Sequence, residues 1–158
     1  MLPERILLTA HVYTLLLGEP VIESRLMTEA DLPDLAQLFA DSVGVTVAEA
    51  RNDLSTYLSG LFGAPMWGLW RGIFEGQPVP VSAVLYTMMN GMPVIVELLT
   101  DPAYRNRGLA SSIVRETALE LQATGVKTVG VIVKRRSPSK LLLEELGFVE
   151  SLEASRVR

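Results

Sequence analysis

Between Val94 and Leu121 the chain changes its hydrophobic period, and few folds accommodate the change. Val94 to Leu99 is an apolar run, β-branched at its start and interrupted only by Glu97, which reads as a buried strand. Asp101-Pro102 ends it, because proline cannot donate to a ladder and biases the residue before it away from helix. From Leu109 the spacing becomes three and four: Leu109, Ala110, Ile113, Val114, Thr117, Ala118 and Leu121 share one face of an amphipathic helix. Strand and helix are joined by a tight turn that holds Arg105, Arg107 and one glycine, Gly108.

Such a junction has its own chemistry. The first amides of a helix lack internal acceptors, and the helix dipole adds partial positive charge beside them. Gly108 permits positive φ and lets the backbone approach whatever lies in the turn. A strand feeding this turn suits a phosphate or pyrophosphate. The plain alternative is a connection whose arginines are solvated.

Asp101-Pro102-Ala103-Tyr104-Arg105-Asn106-Arg107-Gly108-Leu109-Ala110 resembles motif A of the GCN5-related N-acetyltransferases, Arg/Gln-x-x-Gly-x-Gly/Ala. Arg105, Gly108 and Ala110 stand at its three signature places, after the family's Pro-x-Tyr-Arg lead-in. Glu145-Leu146-Gly147-Phe148 resembles the family's helix end before its sixth strand, and Arg25 to Phe39 its first strand and helix. The resemblance implies an α/β (α+β) fold: a mixed, mostly antiparallel sheet of six or seven strands, about four flanking helices, and a splayed parallel pair at the cofactor cleft. Its implied activity is acetyl transfer from acetyl-CoA to an amine of a small molecule or peptide. By the same carry-over, Leu98, Leu99 and Thr100 pair with the pantetheine arm. Arg105, Asn106, Arg107, Gly108, Leu109 and Ala110 supply the pyrophosphate turn, and the Leu98 amide polarises the thioester carbonyl.

The catalytic proton is less well provided for. Relatives often place a glutamate early on the strand, where Val94 stands here. Glu97 is the strand's one carboxylate and is the candidate base or amine-orienting residue, a structural role being its alternative. Leu143 stands where relatives commonly have a tyrosine that protonates the thiolate, and Arg136 lies near the place of their asparagine. Tyr86, Tyr104 or water then remain as donors. A second function follows from that departure: a coenzyme A sensor without turnover.

At 158 residues, 49% of them hydrophobic, the chain is expected to be one domain over 1–158 with a sizeable core. A net charge of −4 argues against sequence-independent nucleic-acid binding. Without cysteine and with one histidine, disulfides, thiolate or histidine-cluster metal sites and a thiol nucleophile are excluded, and the cytoplasm is the expected compartment. Ile6 to Leu17 is short for a membrane span and lacks a signal-peptide pattern. Residues 1–20 are read as an extra strand or short helix, available for a homodimer contact, that turns at Gly18-Glu19-Pro20 into a strand Val21–Met27.

Along the rest of the chain, Thr28 or Asp31 caps a first helix, Pro33 favouring the later start. Thr46-Val47-Ala48-Glu49 is a capping box opening a second, on which Val47, Ala50, Leu54, Tyr57, Leu58 and Leu61 line one side. Tyr57 and Phe62 either touch substrate or pack on the sheet. Strands are expected over Pro65–Phe74 and Val79–Met89, the latter joined by an Asn90-Gly91 hairpin to Pro93–Leu99. Met88, Met89 and Met92 read as core filler or as a plastic acceptor pocket. Lys127–Val133 is a parallel strand, and Lys134-Arg135-Arg136 a solvated edge or a site for the cofactor's 3′-phosphate. Ser137-Pro138 opens the last helix, and Phe148–Val157 is expected to be a closing hairpin.

Overall fold

In the computed structural model, which describes residues 4–18, 22–58 and 70–151, seven strands form one sheet. They are β1 (Arg5–His11), β2 (Arg25–Leu26), β3 (Trp70–Ile73), β4 (Ser82–Met89), β5 (Met92–Thr100), β6 (Thr128–Lys134) and β7 (Val149–Glu150). Their spatial order is β2-β3-β4-β5-β6-β1-β7, antiparallel everywhere except at β5 and β6. The helices are α1 (Val12–Leu15), α2 (Leu32–Val43), α3 (Val47–Leu58), α4 (Leu109–Ala123) and α5 (Pro138–Leu146). No helix among the described residues is long and apolar enough to cross a membrane.

Local chemistry accounts for most boundaries. Asn90 and Gly91 both take positive φ, 51° and 79°, so the β4–β5 turn has the twist a two-residue hairpin needs. Asp31 accepts from the Thr28 amide at 2.8 Å, and α2 starts at the later of the two expected caps, with Pro33 in its first turn. The Glu49 amide donates to Thr46 Oγ1 at 3.1 Å at the head of α3, and the Lys140 amide to Ser137 Oγ at 3.3 Å at the head of α5. Central β4 is buried along Ser82–Thr87, and its one serine donates to the Leu99 carbonyl at 2.8 Å.

The sheet divides two cores. On one face Ile6, Leu8 and Ala10 of β1 pack with α1, α4, α5 and the inward residues of β6. On the other, α2 and α3 pack over β3, β4 and the end of β5 through Leu35, Leu38, Leu54, Trp70, Leu85 and Leu99. That second core has no member from β6 or β1.

Residues 5–17 form both a strand and a short helix, and the strand is interior. Its register with β6 runs from Arg5 opposite Lys134 to His11 opposite Thr128, and its other edge pairs with β7. Alternation explains this placement: Ile6, Leu8 and Ala10 face the core, so a strand here is worth most where both its edges are paired. Val149 and Glu150 pair with Thr9 and Leu8 of β1, and the return strand of the expected closing hairpin falls in residues 152–158, outside the described residues. The strand expected over Val21–Met27 is limited, among described residues, to Arg25–Leu26.

Candidate active site

At the end of β5, the Asp101 carboxylate accepts from the Ala103 amide at 2.9 Å and starts one 3-10 turn, Pro102–Tyr104. Asn106 and Gly108 then take φ of 64° and 75°, reversing the chain into α4, where the Ser112 amide donates to the Gly108 carbonyl at 2.9 Å. The amides of Leu109, Ala110 and Ser111 precede any intrahelical acceptor. A Cβ built on Gly108 would meet no atom within 4 Å, so the space on that side of Gly108 is open. Arg105 Nη2 reaches the Ser42 carbonyl of α2 at 3.4 Å, and the Arg107 guanidinium lies 4.8 Å from the centroid of the Tyr104 ring.

One step back along β5 the sheet opens. β5 and β6 pair only at Val94–Gly130 and Ile95–Val131, and beyond Ile95 the two parallel strands have no paired residues. The opening coincides with a β-bulge. Tyr86 pairs with Ile95 and Leu85 with Glu97, so Val96 is an extra residue in β5. Bulges interrupt the ladder and re-aim side chains. Here Glu97 is brought opposite Leu85, a residue of the α2/α3 core, and Leu98 opposite Val84, a residue of the α4 core.

A cavity of about 720 Å³ fills the opening. Its lining comes from both faces of the sheet: Ile95, Leu98, Val131 and Val133 belong to the α4 core, whereas Phe39, Asp53 and Thr56 come from α2 and α3. It is therefore a slot through the sheet, with Glu97 and Asp53 on the α2/α3 side and Arg5, Lys134, Ser137 and Ser139 around its other wall.

The residues expected from sequence fall into distinct places. Glu97 and Leu98 line the slot. The Leu99 side chain is buried in the α2/α3 core, Thr100 Oγ1 lies 3.3 Å from Ser82 Oγ, and neither residue lines the slot. Arg105, Asn106, Arg107 and Gly108 are exposed on the turn, whereas Leu109 is buried beneath it.

Several of the other candidates lie away from the slot. Tyr86 sits in the α4 core, and burial raises the pKa of its phenol, with the Glu120 carboxylate adding to the shift and Arg71 opposing it; it is not among the slot residues. Tyr104 is hydrogen-bonded to Gln77 Nε2 instead. Leu143 is fully buried core. Met88 is exposed, Met92 lies where a side chain at position 130 would stand, and Met88, Met89 and Met92 are not among the slot residues. Arg135 spans Glu4 at 2.9 Å and Glu150 at 3.1 Å, so in the basic run it is a clamp on β1 and β7. Phe62 and Leu61 lie outside the described residues, as does the Tyr57 side chain.

Sequence reasoning missed Arg5, Asp53, Thr56 and Ser139. Spacing places Asp53 and Thr56 on one face of a helix, but their approach to Glu97 is a tertiary fact.

Residues 71–157 match the family described as FR47-like protein. The chain belongs to the FR47-like family. That family is related to the GCN5-related N-acetyltransferases, and the fold is theirs. The FR47-like chain is similar to a GCN5-related N-acetyltransferase from Sphaerobacter thermophilus (18% identity, 95% of this chain and 50% of that one, TM-score 0.67). It is also similar to a GNAT-family acetyltransferase from Colwellia psychrerythraea (10%, 95% and 53%, TM-score 0.72). A third similar structure is the PaiA N-acetyltransferase of Thermoplasma acidophilum in complex with coenzyme A (14%, 78% and 86%, TM-score 0.59). The FR47-like chain spans about half the length of the first two. No curated protein matches it.

Proposed function

We propose that this FR47-like chain is an N-acetyltransferase that moves an acetyl group from acetyl-CoA to an amine of a small molecule or peptide. The observation that carries the reading is the slot opened by the β5 bulge, on the strand that runs on into a helix-initiating turn with open space at Gly108. That space is what a diphosphate needs, and the Gly108 backbone leaves it clear. The amides from Arg105 to Ala110 would hold the diphosphate, with the main chain of Leu98, Leu99 and Thr100 along the arm behind it. Bound acetyl-CoA would supply an acetyl thioester.

The chain's own groups do the rest. Asp53 and Glu97 give the slot a negative end that concentrates a protonated amine and orients it. An amine attacks only when neutral, so Glu97, directly or through water, takes the proton as the N–C bond forms and the C–S bond breaks. The main-chain N–H of Leu98, beside the interrupted ladder, donates to the carbonyl oxygen as charge builds on it; one such donor is worth about 3 kcal/mol in acyl-transfer enzymes. Among the tyrosines whose side chains are described, none lines the slot.

The test is release of free thiol from acetyl-CoA with a panel of amines, for the native chain and Glu97→Gln. We expect Glu97→Gln to lower kcat/KM at least 10-fold at neutral pH and to recover above the pKa of the amine. An equal rate at every pH would exclude Glu97 as base.

The buried Leu143 favours a second reading, a coenzyme A-binding protein without turnover. Coenzyme A would then raise the melting temperature while no amine releases thiol.

A further inference from the structure

The wall of the slot opposite Asp53 and Glu97 is built from two cations that face each other. Arg5 of β1 is the register partner of Lys134 of β6. Both alternate with core residues, Ile6 and Val133, so both stand on the face of the sheet away from α4. Both line the slot. Like charges directly opposite on neighbouring strands are destabilising, and a carboxylate between them is the usual remedy. Here the nearby carboxylates are taken: Glu4 and Glu150 both bind Arg135. Among the described residues neither Arg5 nor Lys134 has an ion pair. Ser139, on the first turn of α5, lines the same slot. The α2/α3 core has no member from β6 or β1, so it stops short of this wall.

We infer that the acceptor carries an anionic group, carboxylate or phosphate, in addition to its amine, and that Arg5 and Lys134 bind that group. The inference rests on the transferase reading, because it treats the carboxylate end of the slot as the place of the amine. A ligand with a cation at one end and an anion at the other fits both ends of the lining and relieves the repulsion between Arg5 and Lys134. A simple monoamine, protonated at neutral pH, satisfies one end only, and a diamine meets the wrong charge at the other. Arg5 and Lys134 are then specificity-determining residues, and the N-terminal strand supplies part of the acceptor site.

Binding is measured by calorimetry in the presence of saturating coenzyme A, where no turnover occurs, with 4-aminobutyrate, 3-aminopropyl phosphate and butylamine. We expect the native chain to bind at least one of the two acidic amines 10-fold or more tighter than butylamine, the tighter of the two identifying the anion. In the double variant Arg5→Gln/Lys134→Gln that preference should fall to 2-fold or less with the affinity for coenzyme A unchanged. Arg5→Lys, which keeps the charge, should retain the preference, and Arg5→Glu should shift it toward 1,4-diaminobutane. Butylamine binding as tightly as both acids would overturn the inference, as would a preference that survives the double variant. So would a loss of coenzyme A affinity in that variant, which would give the two cations to the cofactor's phosphates. Since these measurements need no catalysis, failure of thiol release with every amine sinks the transferase reading separately.

Discussion

Gly108 and Asp31 show how much a single residue contributes when its conformation or its charge is unusual. Gly108 holds φ at 75° with nothing where a Cβ would stand, so Gly108→Ala meets backbone strain and no clash. Its expected cost is about 1 kcal/mol, read as a shift of the urea midpoint. Gly108→Trp adds bulk in the open space and should abolish the rise in melting temperature with coenzyme A; an unchanged rise would remove the turn from the site. Asp31 pairs with Arg25 at 2.8 Å and accepts from the Thr28 amide. The hydrogen bond from Arg25 is the largest cause lowering its pKa; burial opposes it, and the Thr28 amide adds to it. A carboxyl with a depressed folded pKa stabilises above its unfolded value, 3.8, and loses that contribution as pH falls through the folded value. Asp31→Asn should therefore be less stable than the native chain at pH 7, with the gap in urea midpoint closing below about pH 4.

Among the elements, β1 and β5 carry the arrangement. β1 is held on both edges, and Leu8 at its centre is 0% exposed. Leu8→Ala should cost about 3 kcal/mol by urea unfolding, the ordinary price of a fully buried leucine. β5 shows where sequence patterning stops. The apolar run and the Asn90-Gly91 turn specify a strand and its hairpin partner, and α4 keeps the face its spacing predicts, from Leu109 to Leu121. The bulge at Val96 has no signature in composition or period, because it depends on how β4 and β5 meet, yet it turns Glu97 toward α3. The same holds for β1. Its alternation marks a strand, but its place between β6 and β7 depends on pairing with residues more than 100 positions away, and no local residue encodes that.

For the whole molecule, the consequence is that sheet integrity and site integrity are one property. A chain beginning at residue 12 would leave β6 and β7 without their common partner and expose the inward side chains of β6; it should show no cooperative thermal transition by circular dichroism. In the intact chain, coenzyme A at 100 times its Kd should stabilise by about 2.7 kcal/mol, visible as a higher melting temperature. No such shift would refute cofactor binding at the slot.

The sequence by itself determined the helices, their caps, the Asn90-Gly91 hairpin and the Gly108 turn, because each is decided by residues within a few positions of one another. Its resemblance to the acetyltransferases also stood on contiguous residues, from Asp101 to Ala110 and from Glu145 to Phe148. Only the tertiary structure decided that Arg5 and Lys134 face Asp53 and Glu97 across one slot. Those four residues span 130 positions of chain, and what joins them is strand order, a single bulge and the point where two parallel strands part.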